Sequence, residues 1–562
     1  MNGAYFQQQT LGALPRLAWL LSLCMLMFLL GCDRLTSLFQ GSNLTIIASP
    51  DLTDVQPLAA LIQQHTGIHV TFVFGDPIES MEDILSARIE MDAAWFADAH
   101  GLLSDPGAAS RVRHQESIMT SPLAVGVSLS VAQSLGWDDP ARNATLGWSA
   151  VTRAASTGQL AFAMNDPGAL GQGWMALSGV ATAAAMAQGR GPQSMPIDRL
   201  ALADFLTGYC LTGHDSRELR SKFAEQQGQQ INGWIDEESA LLMLHRSGSL
   251  NEPLVLIYPR EGLSTASYPF MLLNEARRHN YNKVLGFLKG PIAQHWLARH
   301  TLRRPTNPQV AAKMLGHFPP LPSPPDSTFT PDRAFSEGLL DIYLGEFRPP
   351  QTSAFLLDTR ATMQGPEREQ LIAALQNLAS EPRTLSGRVD HMGPRDRLWV
   401  LPFAEQIGQG QWFQTPPMSS GVLSTPQPQS LSEFKPYITG LQTQNGQTGS
   451  ALTESILAAL TLMQSERAQK PLYRYSVVAL TDGSGVSSDS LAHFQQAYAQ
   501  LPPATHKIPV FWILFGNASQ KNIQTLINLT GGKVFDARNT PLSKAFREIR
   551  SPVHGTFSVN RP

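Results

Sequence analysis

Cysteine is nearly absent from this chain: three in 562 residues, Cys24, Cys32 and Cys210. Three scattered thiols make no disulfide framework, and no Cys cluster offers a zinc site. The 14 histidines show no metal-ligand spacing. The short signatures of catalysis are missing as well. There is no H-E-x-x-H, no G-x-S-x-G and no P-loop, which argues against a hydrolase or other enzyme. Charge is balanced, with 42 Lys and Arg against 45 Asp and Glu and a formal net charge of −3. No basic patch with interleaved aromatics is present, which argues against a nucleic-acid binder. No internal repeat stands out. The apolar run Leu17 to Leu30 is shorter than the roughly 20 residues a helix needs to span a bilayer.

That run follows Arg16 and fits the apolar region of a signal peptide better than a membrane span. An uncleaved signal anchor is the alternative. The run ends Leu29-Leu30-Gly31-Cys32, which resembles a bacterial lipoprotein cleavage box. The resemblance implies loss of residues 1–31 and a lipid on Cys32, although Leu30 departs from the small residue usual at its place. Asp33 is similar to the signal that retains lipoproteins in the inner membrane of enteric-type bacteria. Both alternatives put the remaining chain outside the cytoplasm, tethered to a membrane; the periplasmic face of the inner membrane is the expected location. A lipidated Cys32 leaves Cys210 without a partner, and Cys210 reads as a small buried apolar residue.

Residues 42–316 carry an α/β pattern. Leu44 to Pro50 reads as a strand running into a loop. Leu58, Leu61 and Ile62 share one helix face. Thr66-Gly67-Ile68-His69-Val70 turns into a second strand, and Met91-Asp92-Ala93-Ala94-Trp95 follows. This series resembles the opening of type 2 periplasmic solute-binding proteins: a first strand, a helix, "TGI-x-V", then "DA-x-W". Ser121-Pro122-Leu123-Ala124-Val125-Gly126 is similar to their crossover strand, Leu254 to Gly262 to their returning segment, and Arg304-Pro305-Thr306-Asn307-Pro308 to their closing motif. The resemblance implies two lobes and a cleft that closes on a small solute or peptide. Strand-to-helix loops line such clefts. This puts forward Ser49, Gly75-Asp76 and the loop Asn165 to Gly173. Gly171-Gln172-Gly173 opens a helix whose free N–H groups suit an anion; a plain turn with a capped helix is the alternative. The candidate ligand residues are Ser49, Asn165, Gly171, Gly173 and Tyr258. Trp95, Trp174 and Tyr258 either stack on a ligand or lie in the core.

His317 to Asp326 is proline-rich and stiff, so 317–350 reads as a connector. From 351 to 552 strands and helices alternate again. Leu371, Ile372, Leu375, Leu378 and Ala379 recur at helical spacing. Arg397 to Leu401, Ser476 to Leu480 and Pro509 to Gly516 read as strands. Ile523 to Leu529 reads as a helix stopped by Gly531-Gly532. Such alternation implies a doubly wound, mostly parallel sheet. Gln411 to Pro436, polar and proline-rich, reads as a long loop.

Three loops at strand ends in this part are distinctive: Asp358-Thr359-Arg360-Ala361-Thr362, Gly449-Ser450-Ala451-Leu452-Thr453-Glu454, and Thr481-Asp482-Gly483. They resemble the D-x-S-x-S/T, G-T-x-L-x-[DE] and T-D-G motifs of von Willebrand factor type A (VWA) domains. The resemblance implies a Rossmann-like domain that binds a protein partner through a Mg²⁺ site. Here Asp358, Thr362, Ser450 and Asp482 match the metal-binding positions. Arg360 is the departure, standing where the first hydroxyl belongs. A guanidinium cannot ligate a metal. Turned inward it bridges Asp358 and Asp482 as an internal cation, and Mg²⁺ binds weakly or not at all. Turned outward it leaves a place for water.

The sequence thus points to an α/β chain with a two-lobed solute-binding part and a VWA-like part. The expected role is that of a membrane-tethered, extracytoplasmic, non-enzymatic protein coupling solute sensing to protein–protein interaction. The rival is a solute-delivery component of an ABC transporter with an accessory VWA module.

Overall fold

The computed structural model describes residues 42–75, 91–99, 106–321, 332–380, 391–414, 431–441, 450–515 and 520–550, with 80, 84 and 388, and without 170, 193, 214, 215, 364, 394, 539 and 541. The expected signal sequence, Cys32, Asp76, Gly449 and Gly516 lie outside the described residues. Among the described residues no helix is long and apolar enough to cross a membrane.

The first lobe is a five-stranded sheet in the spatial order His69–Phe74, Asn43–Ala48, Ala93–Trp95, Pro269–Leu272, His114–Ser117. Its first three strands run parallel and the last two pair antiparallel. Gly67, at φ +73°, ends the helix Leu58–Thr66 in the left-handed conformation that glycine adopts without strain, and the second strand starts two residues later. Asp92 is structural: its carboxylate accepts from the Thr45 N–H (3.0 Å) and from Asn274 Nδ2 (3.1 Å).

The second lobe is built on Met119–Ser128, a ten-residue strand buried along nearly its whole length. It pairs antiparallel with Gly233–Glu237, Leu254–Ile257 and Thr265–Ala266, and near its start with Arg304–Pro305. One strand therefore leaves lobe 1, and two returning segments cross beside it. On these segments Tyr268 (φ 46°) and Leu302 (φ 56°) hold left-handed backbone, an uncommon state for side chains of this size.

The C-terminal unit is a six-stranded sheet in the order Gln411–Gln414, Arg397–Phe403, Gln351–Asp358, Arg474–Thr481, Val510–Leu514, Val534–Asp536. All neighbours are parallel except the Gln411–Gln414 edge strand. Alternation along the central strand sorts the core. Phe355 and Leu357 face the helices Pro366–Leu378, Leu431–Gly440 and Leu542–Arg550, while Ala354 and Leu356 face Leu452–Gln469, Ser488–Ala499 and Gln520–Thr530. The unit is doubly wound, as the alternation of elements requires.

Two expectations need correction. Gln411 to Pro436 is not one long loop: Gln411–Gln414 joins the sheet edge, and Pro436 lies inside the helix Leu431–Gly440. The apolar residues Trp412, Phe413 and Phe434 explain this, since Phe413 and Phe434 bury against each other edge-on at 5.0 Å. The connector 317–350 also holds a structural element. Asp332 accepts from the Phe335 N–H at 2.8 Å and caps the helix Arg333–Ile342, which runs into the π-turn Tyr343–Phe347. Its apolar face, including Phe335, Leu339, Leu340, Tyr343 and Phe347, lies in the same core as Trp148, Phe162, Phe205 and Tyr209 of lobe 2. Proline content concealed an amphipathic stretch downstream of the prolines.

Replacing a side chain in this shared core tests its role. Phe335→Ala is expected to cost about 3–5 kcal/mol in urea unfolding. A cost below about 1 kcal/mol, normal for surface positions, would mean the helix only rests on lobe 2.

Candidate functional site

A cavity of about 280 Å³ opens between the two lobes. Lobe 1 contributes the Pro50–Val55 turn, and the crossing segments contribute Tyr268 and Arg303. Lobe 2 contributes Gln172, the helix Ser216–Gln226 through Arg217 and Arg220, and the strand end Asp236-Glu237. Glu237 is well satisfied. It accepts from Gln172 Nε2 at 3.0 Å, from Ser239 Oγ at 3.4 Å, and from the Tyr268 hydroxyl. Arg303 donates to Asp54 (2.6 Å) and to the Asp51 carbonyl (2.7 Å), and lies 4.7 Å over the Tyr268 ring. The lobes meet directly where Arg217 Nη2 donates to Thr53 Oγ1 at 2.5 Å.

Asp236 differs from its neighbour. Its Oδ1 accepts from Ser216 Oγ (3.1 Å) and the Glu237 N–H (2.7 Å), but its Oδ2 is buried without a hydrogen-bond partner. Burial, and next the charge of Glu237, push its carboxyl well above the usual carboxylate range. Burial also raises Asp54 despite the Arg303 charge beside it.

The sequence-derived candidates fall only partly on this cavity. Gln172 lines it, while Gly171 caps its helix and Gly173 packs so tightly that a Cβ would fall 1.9 Å from the Asn165 carbonyl oxygen. Asn165 stands behind Gln172, donating to its Oε1 at 3.0 Å. Ser49 precedes the Pro50 turn with its Oγ buried and unpartnered. Tyr258 is elsewhere, in the lobe 2 core, donating to Glu238, which Arg304 grips through two 2.7 Å bonds. Trp95 and Trp174 are core residues. Arg217, Arg220, Asp236, Tyr268 and Arg303 escaped notice. The one local signal was the acidic triplet Asp236-Glu237-Glu238 at the end of an apolar strand. Cys210 is half-buried, and burial pushes its thiol up to about 11.

The second constellation lies at the carboxyl end of the C-terminal sheet. Arg360 is turned inward. Its Nε donates to Asp358 Oδ1 (2.8 Å), and its Nη2 donates to Asp358 Oδ2 (2.5 Å) and Asp482 Oδ1 (2.8 Å). Its Nη1 donates to the Ser484 carbonyl (3.0 Å) and hydroxyl (3.1 Å). A guanidinium has five N–H bonds, and all five are engaged. Thr481 Oγ1 donates to Asp358 Oδ2 at 2.7 Å. Burial works against the Arg360 charge, but Asp358 and Asp482 outweigh it and hold its pKa above the ordinary value. Burial opposes the Asp482 charge too, yet hydrogen bonds from Ser484 and Thr362, with the Arg360 charge, bring its pKa down.

The structure thus brings Asp358, Arg360, Thr362 and Asp482 together. Ser450 is not tied to them: its Oγ is buried and unpartnered. A divalent cation does not fit this donor set, because a permanent positive charge fills the space between the two acids. Among the described residues no group of three or more His, Cys, Asp or Glu is placed to hold a metal.

No family model matches the chain, and no curated protein is significantly similar to it. Solved structures are similar to its N-terminal half. The sulfate-binding protein SubI from Mycobacterium tuberculosis H37Rv shares 16% identity, with 50% of this chain and 92% of that one covered at a TM-score of 0.36. The periplasmic binding protein AfuA from Actinobacillus pleuropneumoniae, with fructose-6-phosphate bound, shares 15%, covering 54% and 97% at 0.38. Iron-bound HitA from Pseudomonas aeruginosa shares 13%, covering 53% and 97% at 0.36. Likenesses of this size fix no ligand. The two-lobed arrangement stands on the strand pairing of this chain itself.

Two substitutions probe these sites. Arg360→Ser leaves the buried Asp358 carboxylate without its cation and should cost about 3–5 kcal/mol. Millimolar Mg²⁺ should regain part of that loss for the variant and change nothing for the wild type, in urea unfolding with Mg²⁺ or EDTA. Asp236→Asn should stabilise the chain at neutral pH in urea unfolding, because the amide has no charge to give up on burial. The sign follows from linkage. A raised folded pKa gives stability that is present below the unfolded value, near 3.8, and is lost as pH rises through the folded value. The amide has no such loss, so the gap between variant and wild type should close as pH falls toward 4.

Proposed function

We propose that this chain is an extracytoplasmic binding protein in which a solute-binding cleft controls the placement of a VWA-type interaction module. Residues 42–316 hold the cleft and 351–552 the module, and lipid on Cys32 tethers the first lobe to the inner membrane of a bacterium. The module docks a protein partner with Arg360 in place of Mg²⁺, so partner binding does not require a divalent cation.

One observation carries this reading: the C-terminal unit is fastened to lobe 2 through the helix Arg333–Ile342 and the turn behind it. Tyr343 donates from its buried hydroxyl to Asp166 at 2.6 Å, and Asp166 is next in the chain to Asn165, which braces the cleft residue Gln172. Arg348, just beyond the turn, donates to Asp396 at 2.6 Å. Arg474, at the entrance of a central strand, is pressed by burial below its ordinary pKa while Asp166, Tyr209 and Tyr343 pull it back up. One short loop thus braces the cleft residue Gln172 on one side and holds the connecting turn on the other. When lobe 2 rotates onto lobe 1, the module rotates with it.

The rival reading, delivery of solute to an ABC permease, needs no such link. Locking the cleft without any ligand separates the two. In a Cys210→Ser background, Thr53→Cys and Arg217→Cys joined by a short bis-maleimide hold the lobes closed. The distance between a fluorophore on lobe 1 and one on the C-terminal unit, both placed through unnatural amino acids, should then change. An unchanged distance would sink the coupling and leave the module as an accessory.

A further inference from the structure

Three buried polar atoms without a hydrogen-bond partner belong to residues lining the interlobe cavity: Asp54 Oδ1, Asp236 Oδ2 and Arg303 Nε. Asp236 is fully buried, so water is a poor substitute partner for it. With both carboxyls ionised, two of the three atoms are acceptors and call for N–H or O–H donors, and a positively charged donor favours that ionised form. The opposite need stands in the same lining, where the Arg217 charge already acts on Asp54. Arg217 and Arg220 project from the first two turns of the helix Ser216–Gln226, and neither forms an ion pair among the described residues. Arg217 donates to the Thr53 hydroxyl, and Arg220 reaches only the Met243 sulfur at 3.7 Å. Arg303, by contrast, is paired with Asp54.

A lone anion between the arginines leaves both acid oxygens unpaired, and it also lies near Glu237. A lone cation on the acids leaves the two arginines uncompensated. Each half-match forfeits the gain of the other half, because a buried polar group without a partner costs more than its hydrogen bond returns. The volume, at the low end for ligand pockets, limits the ligand to a small molecule. We propose that the cavity takes a small zwitterion, its anionic group between Arg217 and Arg220 and its N–H donors on the open oxygens of Asp54 and Asp236. This narrows the earlier expectation of an anion at the Gly171-Gln172-Gly173 helix start. That helix contributes its Gln172 side chain to the wall, already engaged with Glu237.

The proposal rests on the reading of the cleft as a ligand site, and its test keeps the two apart. The full chain is screened by thermal shift and then calorimetry against the standard L-amino acids, against propionate and propylamine as one-charge halves, and against sulfate and phosphate. A zwitterion should bind on the order of tenfold or more tighter than either half. Asp236→Asn and Arg220→Gln should each weaken it by about tenfold. The asparagine keeps the oxygen that accepts from Ser216 and the Glu237 N–H, so the fold is preserved. Sulfate, phosphate or propionate binding as tightly as any zwitterion overturns the proposal and leaves the cleft reading standing. So does tight binding of propylamine. Zwitterion binding that is unchanged in both variants overturns proposal and cleft reading together. Failure of the whole panel to bind overturns the proposal.

Discussion

The burial of one amphipathic segment organises this molecule. Residues 333–347 place Phe335, Leu339, Leu340, Tyr343 and Phe347 into a core otherwise made by lobe 2. Each such side chain removed from water contributes roughly 1.5–3 kcal/mol. Together they outweigh any tendency of a proline-rich segment to swing freely. The segment ahead of the C-terminal unit is therefore anchored on lobe 2, while the C-terminal sheet keeps cores of its own on either face. The crossing segments around Met119, Tyr268 and Leu302 join the two lobes in the chain, and the cavity lies where the lobes face each other.

Charge placement follows the same division. The Glu238–Arg304 fork lies under the crossing strands, with the carboxylate fully buried and both its oxygens matched. In the cavity, by contrast, acids and arginines are left partly unmatched. At the far end of the C-terminal sheet the matching is complete again, with every N–H of Arg360 engaged.

Much of the fold was legible in the sequence, and the reasons are physical. The short apolar run Leu44 to Ala48, the glycine stop at Gly67, and the alternation of strands and helices after Gln351 are local signals that tertiary structure did not override. For Arg360 the sequence left an inward and an outward arrangement open; the chain takes the inward one, in which the guanidinium satisfies both acids. The helix Arg333–Ile342 was hidden by the prolines ahead of it, and the strand Gln411–Gln414 by its polar ends. The cavity wall was the least legible part. Asp54, Arg217, Asp236 and Arg303 are spread over some 250 positions of sequence, and only the folding of two lobes brings them face to face. Attention fell instead on Gly171, Gly173 and Tyr258, whose local patterns serve helix entry, tight backbone packing and a core hydrogen bond.

The joint at Arg348, Gln351 and Arg474 and the Arg360 cluster occupy opposite ends of the same parallel strands. Gln351–Asp358 spans eight residues, about 26 Å at roughly 3.3 Å each. On the proposed coupling the C-terminal unit would act as a lever with its fulcrum at the lobe boundary. A rotation that shifts the cleft walls by a small step would then displace the tip around Arg360 by a larger one. A partner held at that tip would experience the state of the cleft as a change in reach, without any rearrangement inside the sheet itself.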